Sequence, residues 1–191
     1  PSVNKQMSSN VVEFPGSGGP EVRHASAHSP GVLLKGSRNE VWLCPAYTGS
    51  GEVMLYVKPK LTPRQVVSEV VASLAGQALG LPCPQPYIVS VAPHLVGMPR
   101  GSGLTAFGSA QVGPRSLATP VRSLDVMLEL LRKSKLIDAA CVFDEWIANS
   151  VRGSGDLVFD PEGQVWLVDH EGALLAGLAP DRAETNWLAQ R

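Results

Sequence analysis

The sequence predicts an α+β fold, in which a group of strands precedes a group of helices. Apolar runs separated by glycine, serine and asparagine turns are typical of short antiparallel strands. Longer stretches with apolar residues three and four positions apart indicate helices. The order along the chain is strands, helix, strand, helices and a hairpin. This segregated order favours an α+β fold over a regularly alternating α/β fold.

Composition limits the class of protein. The chain has 191 residues, of which 44% are apolar, so it is long enough for a core and is not wholly disordered. Its 16 basic and 17 acidic residues give no clear nucleic-acid signal. No apolar run reaches the roughly 18 residues of a membrane span, and the N-terminus lacks a secretory pattern. We therefore expect a cytoplasmic protein without membrane contact, whose Cys44, Cys83 and Cys141 are free thiols.

The first third of the chain divides into an arm and a sheet. Residues 1–31 are rich in glycine and proline and are predicted to form a flexible or extended N-terminal arm. Residues 32–92 are predicted to form a sheet with one helix, starting with an antiparallel meander. Its strands are Val32–Lys35, Glu40–Cys44 and Val53–Lys58. In the last strand, alternation places Tyr56 and Lys58 on the opposite face from Leu55 and Val57.

A helix follows this meander. Thr62 and Pro63 form a typical helix start, and Gly80 a typical end. The apolar stripe along this helix is expected to face the core, with Glu69 beside it; its members are Val66, Val67, Val70, Val71 and Leu74. After three closely spaced prolines, Tyr87–Val91 is predicted to be another strand.

The rest of the chain, residues 93–191, is predicted to begin with a loop-rich linker over 93–122. Two helical stretches follow, at Ser123–Leu131 and at about Leu136–Ala148. A short hairpin then pairs Leu157–Phe159 with Gln164–Val168.

Chemistry-bearing residues occur in a suggestive order. The glycine-containing turn at Gly36 precedes Lys58 at a strand end, Glu69 on the next helix, a polar loop, and Asp169 after a strand. A lysine steered by a carboxylate, together with acids that hold magnesium, is the set of parts used in phosphoryl transfer. His170 adjoins Asp169, but adjacent strand residues point to opposite faces, so the two are not expected to share an ion.

Six short pieces of the chain carry a family resemblance, from about residue 32 to residue 173. They are Tyr56–Pro59, Ser68–Ala75, Leu79–Pro84, Phe107–Ser109, Phe143–Asn149 and Val168–Gly172. Through them the sequence resembles the HipA-like kinases, a bacterial and phage family. The resemblance implies a two-lobed protein-kinase-like fold, with a small antiparallel N-lobe sheet, one helix, and a reduced helical C-lobe containing a hairpin.

The resemblance also implies residue roles, with ATP and Mg²⁺ as cofactors. Lys58 would contact the nucleotide phosphates, Glu69 would pair with Lys58, and Asp169 would bind magnesium. Asn149 and Arg152 would keep their places in the catalytic loop.

The catalytic loop departs from the family pattern of Asn-x-Asp-Arg followed by a metal-binding Asn. Val151 stands at the position of the catalytic Asp, and Asp156 stands at the position of the later Asn. Valine cannot accept a proton, and a general base contributes about 10²–10⁴-fold. Asp156 keeps an oxygen ligand for magnesium. Asp144 and Asp156 stay open as substitute bases, although Asp144, at a helix end, is expected to be structural.

These departures predict a pseudokinase that acts as a nucleotide- or protein-binding module. One alternative is an active, ATP- and magnesium-dependent protein Ser/Thr phosphotransferase. Another is a non-catalytic phage or mobile-element scaffold that binds a host protein. A protein partner or substrate is expected in each case.

Overall fold

The computed structural model has a mixed fold of strands and helices, as the sequence predicts. It describes residues 19–29, 31–34, 39–96, 103–112, 124–150, 152–160 and 162–174. The strands are β1 Arg23–Ala27, β2 Val32–Leu34, β3 Val41–Thr48, β4 Gly51–Lys58, β5 Pro86–Val91, β6 Leu104–Ala110, β7 Leu157–Phe159 and β8 Val165–Leu167. The α-helices are α1 Pro63–Ala78, α2 Leu124–Ser134 and α3 Ile137–Trp146.

The first six strands form one sheet that closes on itself. Their order is β1-β5-β6-β4-β3-β2, and β1 also pairs with β3, so five strands make a small barrel with β2 at the edge of β3. The pairing of β1 with β5 is parallel, with Arg23 opposite Tyr87 and Ala27 opposite Val91. The prediction of a purely antiparallel sheet was therefore wrong at this one pair.

Strand β1 lies inside the segment predicted to be an arm. Its inward side chains are the small Ala25 and Ala27, both buried in the barrel core. A strand whose inward residues are alanines lacks the branched and aromatic residues that usually indicate strands. The sheet thus begins before residue 32. Residues 1–18 of the predicted arm lie outside the part of the chain that the structure describes.

Strand β6 was predicted to be part of a loop-rich linker, and that prediction was wrong. The strand lies between β5 and β4 in the barrel. Its Gly108 weakened the strand signal, yet the packing requires it. A Cβ atom at Gly108 would lie 2.6 Å from the Cγ2 atom of the buried Val89. Glycine here permits the close approach of two strands.

The alternation predicted for β4 is confirmed. Leu55 and Val57 are buried in the barrel core. Tyr56 and Lys58 point out of the barrel and line a cleft against the helical part of the chain. The alternation of side chains along β4 therefore places Lys58 in that cleft.

Helix α1 begins and ends where the sequence predicts. The Thr62 hydroxyl accepts a hydrogen bond from the Gln65 backbone N–H, and the Gln65 side chain accepts one from the Thr62 backbone N–H. This capping box satisfies two N–H groups at the helix start. After the helix, Gly80 has a φ of +74°, a conformation that favours glycine.

The face that α1 buries differs from the predicted one. Val67 and Val71 are 57% and 45% exposed, whereas Ser68, Glu69, Ala72, Ser73 and Gly76 are buried. Close packing explains this choice of small residues. A Cβ atom at residue 76 would lie 2.4 Å from Cys83 Sγ and 3.3 Å from Phe143 Cζ. As a consequence, Glu69 faces the interior.

A second core lies between α2, α3 and the β7–β8 hairpin. The hairpin is antiparallel, with Leu157 opposite Leu167. Ala72 of α1 packs into this core beside Phe143 and Ile147 of the α3 region. Helix α1 thus contributes to it from the barrel side. The two predicted helical stretches and the hairpin are confirmed.

Two further sequence-based expectations can be compared with the structure. Cys44, Cys83 and Cys141 are free, as predicted. None of the helices among the described residues combines the length and the apolar character needed to cross a bilayer.

Candidate functional site

The candidate site is a cleft between the barrel and the β7–β8 hairpin. Its walls are mostly apolar, and its polar residues converge on Lys58. The lining includes Val41, Tyr56, Lys58, Glu69, Phe107, Val158, Leu167, Asp169 and His170. Three elements supply its charged groups: the end of β4, the buried face of α1, and the segment after β8.

The Lys58 ammonium group lies at the centre of the site. Its Nζ atom donates to Glu69 Oε1 at 2.6 Å, to Asp169 Oδ1 at 2.7 Å and to Glu171 Oε2 at 3.0 Å. An ammonium group has three N–H donors, so all of them are used. The structure therefore brings together Lys58, Glu69 and Asp169, the three residues for which the sequence predicts a common site.

Electrostatic interactions keep Lys58 and Glu69 ionised. Burial alone would lower the pKa of Lys58, but the carboxylates of Glu69, Asp169 and Glu171 raise it. Burial would likewise raise the pKa of Glu69, yet the interactions of Glu69 with Lys58 and His170 together lower that pKa to about 2. Lys58 is thus cationic and Glu69 anionic at neutral pH.

The backbone after β8 holds Glu69 from the other side. The His170 backbone N–H donates to Glu69 Oε2 at 2.9 Å. The His170 ring is buried and packs edge-on against Phe143, with ring centroids 6.1 Å apart. Asp169, which directly precedes His170, has a φ of +61°, a conformation that Asp tolerates better than most residues. Both Asp169 and His170 lie after β8, which ends at Leu167, so the strand alternation that was expected to separate them does not apply, and both line the cleft.

Glu171 is a member of the site that the sequence analysis did not single out. One of its carboxylate oxygens accepts from Lys58, and the other accepts from the Asn39 side-chain amide. Burial raises the pKa of Glu171 against the opposing effect of Lys58, and Asp169 raises it further. The available signal was position, since Glu171 lies two residues after Asp169. Asn39 directly follows residues 35–38, which lie outside the described residues. They include Gly36 of the predicted glycine-containing turn.

Asp156 is the second acid expected to bind a cation. Its Oδ2 atom accepts from the Gly153 backbone N–H at 2.6 Å. Burial, followed by repulsion from Asp169, raises the pKa of Asp156 to about 7. Asp169 thus makes ionisation of Asp156 more costly, and a divalent cation beside the two carboxylates would offset this repulsion.

A different carboxylate group has the spacing of a metal site but does not fit one. Oxygen atoms of Glu69, Asp169 and Glu171 lie within 4.8 Å of one another. The Lys58 ammonium bonds to all three, and so takes the place that an ion would occupy. The trio is therefore held together by Lys58, and Asp156 lies outside it.

The residues predicted to lie in a catalytic loop form, with Asp144, a separate buried cluster. Arg152 donates to Asp144 through Nε at 2.6 Å and through Nη2 at 2.8 Å, and Asn149 donates to the same carboxylate at 3.2 Å. Arg152 also donates to the Val168 carbonyl at 2.9 Å, next to Asp169. Asp144 is thus engaged in structure, which argues against its use as a base. Val151 lies outside the described residues.

Comparison with known proteins agrees with this geometry. The α+β fold and the lysine, glutamate and aspartate cluster fit the protein-kinase-like class. The model of the family described as HipA-like kinase matches residues 34–183, which is more than half of the chain. The chain therefore belongs to the HipA-like kinase family. Among the curated proteins, no match is found.

The Asp144–Arg152 pair generates a prediction about stability. Arg152→Ala leaves the buried Asp144 carboxylate without its cation and should lower the free energy of unfolding by about 3–5 kcal/mol. The measurement is urea denaturation. Lys133→Ala is the control, because Lys133 pairs with Glu129 on the exposed face of α2 and should cost under about 0.5 kcal/mol. A loss below about 1 kcal/mol for Arg152→Ala would contradict the structural role.

Proposed function

We propose that the cleft binds a nucleotide with Mg²⁺ and that the protein is a pseudokinase, a binding module without efficient phosphoryl transfer. The observation that carries this proposal is the Lys58 ammonium, held 2.6 Å from Glu69 and 2.7 Å from Asp169 in a mostly apolar cleft. We also propose that the barrel with α1 and the helical part correspond to the two lobes of a kinase-like fold.

The cleft offers separate surroundings for the two ends of a nucleotide. Lys58 would donate to phosphate oxygens, and Glu69 keeps its ammonium in place. The apolar side chains of Val41, Phe107 and Leu167 suit the faces of a planar base. This division of a pocket into apolar walls and a few polar groups is typical of small-molecule sites.

Asp169 and Asp156 would hold the magnesium ion. Mg²⁺ prefers oxygen ligands and binds through one or two carboxylates together with substrate phosphates. When bound, the ion would neutralise phosphate charge that the acidic cluster would otherwise repel. The Gly153 backbone N–H keeps Asp156 in its position.

We expect no efficient phosphoryl transfer because of the sequence of the predicted catalytic loop and because of the contacts of Asp144. Val151 stands where the family has its catalytic Asp, and Asp144 has both oxygens engaged by Arg152.

Asp156 supports a second candidate function. Its pKa of about 7 is in the range of a general base, which favours an active protein Ser/Thr phosphotransferase if it replaces the missing Asp.

A protein partner is part of the proposal. Leu79 at the end of α1, with Val142 and Trp146 on α3, is part of an exposed apolar groove; the three side chains are 61%, 70% and 67% exposed. Exposed apolar patches are frequent at protein contacts. A scaffold that binds a host protein would use such a surface without a nucleotide.

Nucleotide binding is tested by thermal unfolding with and without Mg-ATP. A ligand at a hundred times its Kd adds about 2.7 kcal/mol. Each kcal/mol raises Tm by roughly 2–4 °C at this chain length. Wild type should shift, while Lys58→Met and Asp169→Asn should lose the shift relative to their own melts without ligand. Lys133→Ala, on the exposed face of α2, should keep it.

The absence of a shift at saturating nucleotide would contradict both kinase hypotheses and leave the scaffold. A shift that survives Lys58→Met would show that the nucleotide binds elsewhere.

Val151→Asp tests the pseudokinase part. Wild type should transfer no phosphate from radiolabelled ATP to itself or to a generic Ser/Thr substrate above the level of Lys58→Met. Val151→Asp should gain transfer, by up to about 10²–10⁴-fold, because the restored carboxylate can accept the hydroxyl proton. Val67→Asp, at a 57% exposed position of α1 outside the cleft, is the matched control. Transfer by wild type that is lost in Asp156→Asn would instead establish the active enzyme.

A further inference from the structure

The contacts of Glu171 differ from those of an ordinary supporting carboxylate. Its two oxygens join two groups that are far apart in sequence, the Lys58 ammonium on β4 and the Asn39 amide before β3. Its side chain is only 10% exposed. Glu171 therefore connects the segment after β8 to the barrel beside Lys58.

Lys58 has no donor left for a phosphate group while this contact persists. Its three N–H groups are taken by Glu69, Asp169 and Glu171. A phosphate oxygen must therefore replace one of the three carboxylates.

Two of the three carboxylates have a proposed role beside the phosphates, because Glu69 holds Lys58 and Asp169 would hold Mg²⁺. Glu171 has no such role, although its side chain is less exposed (10%) than that of Asp169 (32%). Glu69 is 1% exposed and is held at its second oxygen by the His170 backbone N–H. Glu171 makes the longest of the three contacts to Lys58, at 3.0 Å against 2.6 Å for Glu69 and 2.7 Å for Asp169. Its other oxygen is held by a neutral side-chain amide instead of the backbone.

Charge favours the same conclusion. One ammonium surrounded by three carboxylates carries a net charge of about −2 when all are ionised, which repels a polyphosphate. Moving Glu171 away from Lys58 removes one negative charge from the phosphate position.

From these contacts we infer that Glu171 is an autoinhibitory carboxylate that occupies the phosphate position of the cleft. It accepts from Lys58 and from Asn39 in place of nucleotide phosphate oxygens, and the phosphates must displace it in order to bind. This inference rests on the proposed nucleotide site and specifies how that site is regulated. Any event that draws Glu171 out of the cleft would raise nucleotide affinity.

The test is isothermal titration of wild type and Glu171→Gln with Mg-ATP. The Gln side chain keeps the shape but lacks the charge, so Kd should fall about five- to tenfold. Affinity for adenosine, which carries no phosphate, should be the same in both proteins. Glu162→Gln is the matched control, because Glu162 is exposed in the hairpin turn, and it should bind Mg-ATP like wild type.

The other outcomes separate the two proposals. If wild type binds Mg-ATP and Glu171→Gln binds it equally or more weakly, the autoinhibitory role is overturned and the nucleotide site stands. If Glu171→Gln tightens adenosine as much as Mg-ATP, the effect is not at the phosphates, and the inference fails. If neither protein binds Mg-ATP, the proposed function fails and the inference falls with it.

Discussion

The buried ammonium of Lys58 is the constraint on which the site depends. A cation removed from water is costly unless carboxylates pair with it, and here three do so from α1 and from the segment after β8. Those two elements are more than a hundred residues apart in sequence. The ion cluster therefore joins the end of the barrel strand β4 to the hairpin region.

The buried ion pair of Arg152 and Asp144 supports the Lys58 cluster. Arg152 binds Asp144 with two nitrogens and also donates to the Val168 carbonyl. That carbonyl directly precedes Asp169, so the pair fixes the backbone from which Asp169 reaches Lys58. In this chain the Arg152–Asp144 pair thus serves structure.

The core of the site was predictable because it depends on local patterns. Alternation along β4 placed Lys58 on the face that lines the cleft, and motif order linked it with Glu69 and Asp169. Strand β6 was missed because Gly108, which close packing requires, weakens a strand signal. The buried face of α1 was also missed, since small and charged residues line it while Val67 is exposed. Contacts that depend on tertiary packing leave little trace in periodicity.

A double-mutant cycle in urea unfolding, with Lys58→Met and Asp169→Asn in magnesium-free buffer, tests the central claim most directly. The account predicts non-additive losses, with a coupling free energy of at least about 1 kcal/mol. The reason is that Asp169 attracts Lys58 in wild type but only repels Glu69 and Glu171 once the ammonium is gone. Asp169→Asn should then stabilise the Lys58→Met protein. Additivity within about 0.3 kcal/mol would contradict a shared ion cluster.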